Sequence, residues 1–277
     1  MNSFFIGLQT ILPQHHISRL IGWLAQLEQP VWLKNLLISL FMQAYGISLD
    51  DAEFPRAQDY RNFNHFFTRA LADGARPLAT SRYVSPADGV LSQRGDVDSG
   101  QLVQAKGRWY DTRGLLAGDA LEAEAFDNGS FATVYLSPRD YHRVHMPISG
   151  TLRKTRYVPG DLFAVNTATT HGVDQLFARN ERLVCFFDTA DGQLAVVLVG
   201  AIIVAGIETV WGGVESPNPG TIRERKFTDA EAITLEAGAE LGRFFLGSTV
   251  VLLTEKAELN WQAEAGDAVL VNAALAN

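Results

Sequence analysis

From about residue 80 onward the sequence consists of short β-branched and aromatic runs separated by turn residues, and this texture constrains the fold most. The clearest runs lie at 101–104, 131–135, 194–200 and 248–253. Helical patterns in this region are brief, at 111–116 and 161–166, which disfavours alternating strand and helix winding. The sequence therefore predicts a mainly antiparallel β region.

The first 50 residues have a helical pattern instead. Apolar residues recur at helical spacing, at Ile17, Leu20, Ile21, Leu24 and Leu27. Pro30 opens a second segment that is rich in leucine. Two amphipathic helices are expected here, so the chain is predicted to be an α+β protein. We place the join so that a helical segment covers 1–60 and a mainly β domain covers 61–277.

These helices allow two interpretations. Acidic and basic side chains balance within residues 1–50, so attraction to anionic lipid would be weak. Insertion into a membrane would then depend on aromatic side chains, namely Phe4, Phe5, Trp23 and Trp32. A helical cap folded onto the β region explains the same pattern. Composition alone does not decide between them.

Composition excludes several classes of protein. The 277 residues are 47% hydrophobic, which is enough for a sizeable core. A net charge of −8 without a cluster of lysine or arginine argues against a nucleic-acid surface. Cys185 is the only cysteine and excludes an intrachain disulfide. The single cysteine also favours a cytosol-facing chain. Neither a signal peptide nor a run of about 18 apolar residues is found, so we expect the chain to lie on a membrane, if it binds one, rather than to cross it.

A Gly-Ser peptide near the C-terminus points to self-cleavage. The run Leu246-Gly247-Ser248-Thr249 leads into a strongly apolar, strand-like stretch. A serine directly after a glycine can attack the preceding carbonyl, because glycine has no side chain to block the approach. Taken alone, the pair is weak evidence, since a glycine in a strand more often marks a β-bulge or a close backbone approach.

Further motifs carry a family resemblance. They lie in order along the chain, at 63–69, 76–77, 85–90, 135–147, 157–163, 180–182, 199–201 and 208–211. Together with the Gly-Ser run they resemble the phosphatidylserine decarboxylase family, in its bacterial, membrane-associated form. The resemblance covers most of residues 60–255.

The resemblance implies a proenzyme that cuts itself between Gly247 and Ser248. The products would be a β chain of residues 1–247 and an α chain of residues 248–277. Asp88, His145 and Ser248 would form the self-cleavage triad, with His145 as the base and Asp88 orienting it. Ser248 would then become a pyruvoyl group, which is the cofactor of the family.

The same resemblance implies the reaction. The pyruvoyl group derived from Ser248 would form a Schiff base with phosphatidylserine and release carbon dioxide, leaving phosphatidylethanolamine. His142 would return a proton as general acid. Neither a metal nor pyridoxal phosphate is expected. The expected partners are membrane phosphatidylserine, the two chains of one precursor and a second copy in a homodimer, on the cytoplasmic face of the inner membrane.

Other readings stay open at this point. A Ser-His-Asp hydrolase would use the same three side chains, although no Gly-x-Ser-x-Gly elbow surrounds Ser248. A lipid-binding β module would need no chemistry at all. Asp88-Gly89 is also a common turn pair, and His145 could be a structural histidine. The spacing of His142 and His145 would suit a metal only on a helix.

Overall fold

The computed structural model describes residues 14–202, 206–216, 220–245 and 248–277. The described helices are α1 (Gln14–Ala25), α2 (Val31–Tyr45), α3 (Phe63–Phe67), α4 (Thr112–Leu116), α5 (Ala120–Glu124), α6 (Thr167–Gly172) and α7 (Leu176–Arg179). Short 3-10 helices lie at Ala57–Asp59 and Asp229–Glu231.

Seventeen strands lie in the described residues. In the first half they are β1 (Tyr83–Val84), β2 (Gly89–Asp96), β3 (Gln101–Ala105), β4 (Arg108–Asp111), β5 (Ser130–Leu136), β6 (Arg143–His145) and β7 (Gly150–Val158). In the second half they are β8 (Arg182–Thr189), β9 (Gly192–Val199), β10 (Gly206–Thr209), β11 (Gly213–Ser216), β12 (Arg223–Lys226), β13 (Ile233–Leu235), β14 (Glu240–Phe245), β15 (Ser248–Thr254), β16 (Ala268–Val269) and β17 (Ala274–Ala276).

One large antiparallel sheet dominates the fold. In the described residues it has nine strands in the order β12-β7-β8-β9-β15-β5-β2-β16, with β13 also paired to β7. A smaller sheet has the order β11-β10-β14-β6. The strand pairs of the described chain are all antiparallel. The α+β prediction is confirmed.

Strand β15 lies in the middle of the large sheet, between β5 and β9. Its side chains alternate between two cores, because successive residues of a strand point to opposite faces. Val250 and Leu252 belong to one core and Val251 and Leu253 to the other. The run is therefore apolar throughout because both faces of the sheet are covered.

The N-terminal helices form a third, smaller core. Ile38 of α2 packs with Tyr60, Phe66 and Phe67, all of which are almost fully buried. Lys34 is buried on the same side of α2, and its ammonium donates to the backbone carbonyl of Tyr60. The two helices expected from the sequence are confirmed over 14–45. In the part of the chain that the structure describes, none of the helices is long and apolar enough to cross a membrane.

The two short helical patterns had different outcomes. The pattern at 111–116 is confirmed by α4, where the Asp111 side chain caps the helix by accepting from the Gly114 amide. The pattern at 161–166 was wrong, since the chain there is not helical. Helix α6 begins only at Thr167, because Asn166 takes the N-cap position and its side chain accepts from the Thr169 amide at 3.2 Å.

Candidate active site

The strand register brings the two sides of the expected cleavage point to one turn. Ser248 opens β15 and pairs with Leu136 at the end of β5. On the other side, the amide of Phe244 in β14 donates to the carbonyl of His142 at 3.0 Å. Leu246 and Gly247 lie outside the described residues, as does the side chain of Ser248. The segment 136–142 therefore contacts the chain at Phe244 and at Ser248, the described residues on either side of 246–247.

His142 is fully buried within this segment. Its ring stacks on Phe67, with 4.0 Å between ring centroids and 22° between planes. Neither ring nitrogen makes a hydrogen bond of full geometry, although the backbone of Ser137 and Pro138 is close enough to interact with the ring. Burial, with the charge of Arg69 as a second cause, lowers the pKa of His142 to about 3, although backbone groups of Ser137 and Pro138 offset part of this shift. The imidazole is therefore neutral near pH 7.

His145 is held by two hydrogen bonds that fix its tautomer. Nδ1 lies 2.8 Å from the carbonyl oxygen of Gly238, which can only accept, so Nδ1 carries the proton. Nε2 is then an acceptor and receives the Tyr141 hydroxyl at 2.9 Å. Burial lowers the pKa of His145, which favours the neutral ring. A neutral imidazole with an unprotonated Nε2 can act as a base.

Asp88 is buried close to His145 but bonds to other groups. Its carboxylate accepts from Arg76 at 2.7 and 3.2 Å and from the Val271 amide at 2.7 Å. Among the hydrogen bonds of the described residues, none joins this carboxylate to His145. The connection is through the backbone, where the His145 amide donates to the Pro86 carbonyl at 2.8 Å. The orienting role of Asp88 therefore stays a prediction.

Gly89, which follows Asp88, packs closely against the backbone of strand β5. A Cβ atom on Gly89 would lie 2.2 Å from the carbonyl oxygen of Tyr135 in β5. We expect Gly89→Ala to lower the free energy of unfolding in urea by about 2–3 kcal/mol, because backbone atoms must move apart. Gly95→Ala is the matched control, since Gly95 lies in the same strand with a similar φ of 149° and a Cβ there would meet only the Phe131 ring at 3.7 Å. Equal losses in the two variants would contradict the close-approach argument.

Two arginines at the site were not singled out by sequence reasoning. Arg76 holds Asp88 and also bonds to Asp51 at 2.7 Å, and its hydrogen bonds to Asp88 raise the pKa of the guanidinium. Arg69 is buried beside His142, and only its Nη2 has partners, the carbonyls of Arg139 and Asp140. A single sequence shows such residues only as charges within a motif, without their partners.

A cleft of about 610 Å³ opens beside the expected cleavage point. It lies between helices α1 and α3 on one side and strands β10 and β14 on the other. Phe245, the last described residue before the Gly-Ser pair, lines it together with the polar side chains of Arg61, Asn64, His65 and Arg243. The described residues hold no group of three or more histidine, cysteine, aspartate or glutamate side chains placed to bind a metal ion.

Models of known protein families match most of this sequence. The family model described as phosphatidylserine decarboxylase matches residues 63–277, and a second one described as PSD matches residues 4–46. The chain belongs to the phosphatidylserine decarboxylase family. The first match includes all of the motif residues at the site, from Arg69 to Ser248.

Relatives in the phosphatidylserine decarboxylase family are similar over nearly their whole length. A phosphatidylserine decarboxylase proenzyme of Alcanivorax borkumensis is 56% identical, over 91% of this chain and 87% of the relative. A proenzyme of the same description from Stutzerimonas stutzeri is 50% identical, over 95% of this chain and 89% of the relative. One from Saccharophagus degradans is 48% identical, with coverages of 95% and 92%.

Proposed function

We propose that this chain is a proenzyme that cuts itself between Gly247 and Ser248 and then decarboxylates phosphatidylserine to phosphatidylethanolamine. Family membership supports the reaction. The observation that carries the site is the register of Ser248 beside Leu136, which begins the segment that ends in the fully buried His142. A buried titratable side chain at such a position is a candidate for chemistry.

Self-cleavage uses Ser248 and His145 in this proposal. The hydroxyl of Ser248 attacks the carbonyl of Gly247, and Nε2 of His145 takes the hydroxyl proton. The peptide bond becomes an ester, whose elimination releases residues 1–247 with a terminal carboxylate and leaves dehydroalanine at 248. Hydrolytic loss of ammonia then leaves the pyruvoyl group on residues 248–277. Asp88 contributes negative charge close to the imidazole, which favours its protonated form.

The decarboxylation site fits a pyruvoyl group at position 248. The group supplies a ketone that accepts electrons from the carbon losing carbon dioxide. His142 stacks on Phe67 and ends the segment that begins at Leu136, the pairing partner of Ser248. His142 holds the proton that returns to the α-carbon of the substrate.

Residues 1–60 are proposed to bind the membrane and residues 61–277 to carry the chemistry. Helix α2 exposes a stripe of Trp32, Leu36 and Leu40, which recur every four residues. Trp23 of α1 is 60% exposed and also lines the cleft beside the cleavage point. Trp23 therefore joins exposed apolar surface of α1 to the cleft, so a lipid could enter the cleft from the surface of a bilayer. The proposed location is the cytoplasmic face of the inner membrane, and a homodimer is expected from the family alone.

Intact mass spectrometry and a lipid assay together test the proposed function. Purified protein should give two fragments that divide between Gly247 and Ser248, the smaller one with an N-terminal pyruvoyl mass. The same sample should release carbon dioxide from phosphatidylserine vesicles. A single uncut chain of 30.4 kDa that hydrolyses esters would point to a Ser-His-Asp hydrolase. An uncut chain that only binds vesicles would point to a lipid-binding module.

We expect loss of the α2 stripe to weaken membrane binding. The double variant Trp32→Ser and Leu36→Ser should reduce the fraction of protein that floats with vesicles by roughly 10-fold, because both side chains would otherwise bury apolar surface in lipid. Self-cleavage should be unchanged. Trp109→Ser is the matched control, since Trp109 is comparably exposed but lies on β4. If the unaltered protein, the double variant and Trp109→Ser float to the same extent, the α2 stripe does not bind the membrane.

A further inference from the structure

We infer that Arg69 is an anion-binding residue of the active site, which receives an oxyanion of the lipid headgroup next to His142. The inference rests on the proposed function and adds a residue to the same site. Arg69 follows helix α3, is only 5% exposed, and leaves Nε and Nη1 without hydrogen-bond partners. A guanidinium carries only donors, so the missing partner is an acceptor, and an oxyanion matches its charge.

Neighbouring acidic groups do not fill this need. Asp51 and Asp88 are both bound to Arg76, and Asp140 accepts from the amide and hydroxyl of Ser137 at 2.7 Å. These three carboxylates and the Tyr60 hydroxyl act on Arg69 only through space. Burial lowers the pKa of Arg69 despite them. The side chain is thus a buried cation to which none of the described carboxylates is hydrogen-bonded.

The position of Arg69 connects it to the reacting residue. Its Nη2 donates to the carbonyls of Arg139 and Asp140, at 3.2 and 3.4 Å. These two residues lie between Leu136, which pairs with Ser248, and His142, which accepts from the Phe244 amide. The Cζ atom of Arg69 lies 5.7 Å from the centroid of the Phe66 ring, and Phe67 stacks on the His142 ring. Two neighbouring phenylalanines of helix α3 therefore contact the guanidinium of Arg69 and the imidazole of His142.

This pairing gives the anion a second role. Without an anion, burial and, second to it, the charge of Arg69 lower the pKa of His142 and keep the ring neutral. An oxyanion placed between the two side chains would offset that charge and favour the protonated ring. The substrate would thus raise the pKa of the general acid on arrival. Two groups of the headgroup have the required chemistry, the serine carboxylate and the phosphodiester.

The first arm of the test measures decarboxylation of phosphatidylserine vesicles by full-length variants. Arg69→Gln should still cut itself, which reports a native fold, but its apparent KM should rise roughly 10- to 100-fold. Arg69→Lys should recover part of the loss. Arg139→Gln is the matched control, because the Arg139 carbonyl accepts from Arg69 while its own side chain is 70% exposed. An unchanged KM in Arg69→Gln would overturn the inference.

The second arm follows the titration of the His142 ring by NMR in full-length, uncut Ser248→Ala protein. Glycerophosphoserine should raise its pKa, and Arg69→Gln should abolish the rise. Glycerophosphoethanolamine carries only the phosphodiester and serine only the carboxylate, so the probe that reproduces the rise identifies the anion. If none of the probes raises the pKa of His142, the inference is overturned and the free N–H groups of Arg69 are assigned to ordered water. This outcome needs only the Ser248→Ala protein, so it is decisive even if Arg69→Gln fails to fold. Failure of unaltered protein to decarboxylate would instead refute the proposed function.

Discussion

Ser248→Ala is expected to yield a folded, uncut chain of 30.4 kDa without decarboxylase activity. Alanine lacks the hydroxyl that attacks Gly247, so no ester forms and no ketone can be generated at position 248. Turnover of phosphatidylserine should fall to background, a loss of at least about 10⁶-fold on the scale of enzymatic rate enhancements. Intact-mass analysis and release of carbon dioxide from vesicles would measure the two effects separately.

Thr249→Val is the control for that variant. Thr249 is the next residue of the same strand and is fully buried, and its hydroxyl has no hydrogen-bond partner. Valine has nearly the same shape, so the strand should be preserved and the chain should still cut itself. Normal decarboxylation by uncut Ser248→Ala would refute the proposed chemistry. Failure of both variants to cut would show only that β15 is sensitive to substitution.

The two histidines are expected to separate cleavage from decarboxylation. His145→Ala should remain uncut, because it removes the neutral imidazole whose Nε2 is available as a base. His142→Ala should cut but decarboxylate about 10²- to 10⁴-fold more slowly, the usual range for loss of a general acid. Time courses of cleavage followed by kcat on vesicles would distinguish the two variants.

Tyr141→Phe provides a control for the histidine pair. The Tyr141 hydroxyl is the donor to Nε2 of His145, and phenylalanine keeps the ring that packs there. If Nε2 is the base, this variant should still cut, since it leaves the lone pair free. Identical behaviour of His142→Ala and His145→Ala would refute the division of roles.

The sequence predicted the fold well where patterning is local. Short β-branched and aromatic runs at 131–135 and 248–253 identified β5 and β15, because the residue types that favour a strand are visible in the sequence itself. The pattern at 161–166 misled because the Asn166 cap delays the helix until Thr167. The pairing of β15 between β5 and β9 was beyond reach, since strand order depends on contacts far apart along the chain.

The sequence predicted which residues belong to the site but not which groups they contact. Family resemblance nominated Asp88, His142, His145 and Ser248, but it could not indicate that the Gly238 carbonyl holds the imidazole of His145. A backbone carbonyl has no signature in a sequence. The missing partners of Arg69 are equally invisible there, because an unsatisfied donor is defined only by the packing around it.

The central position of β15 determines what self-cleavage would do to the molecule as a folding unit. The strand is paired on both sides, and β16 and β17 join the rest of its fragment to β2 and β1. A cut before Ser248 would leave these contacts intact while removing the covalent tie. Folding of the uncut precursor is a first-order process, whereas assembly of two separate chains is second-order. The mature enzyme would therefore keep the contacts formed in its precursor, and separated chains would recombine at a rate that falls on dilution.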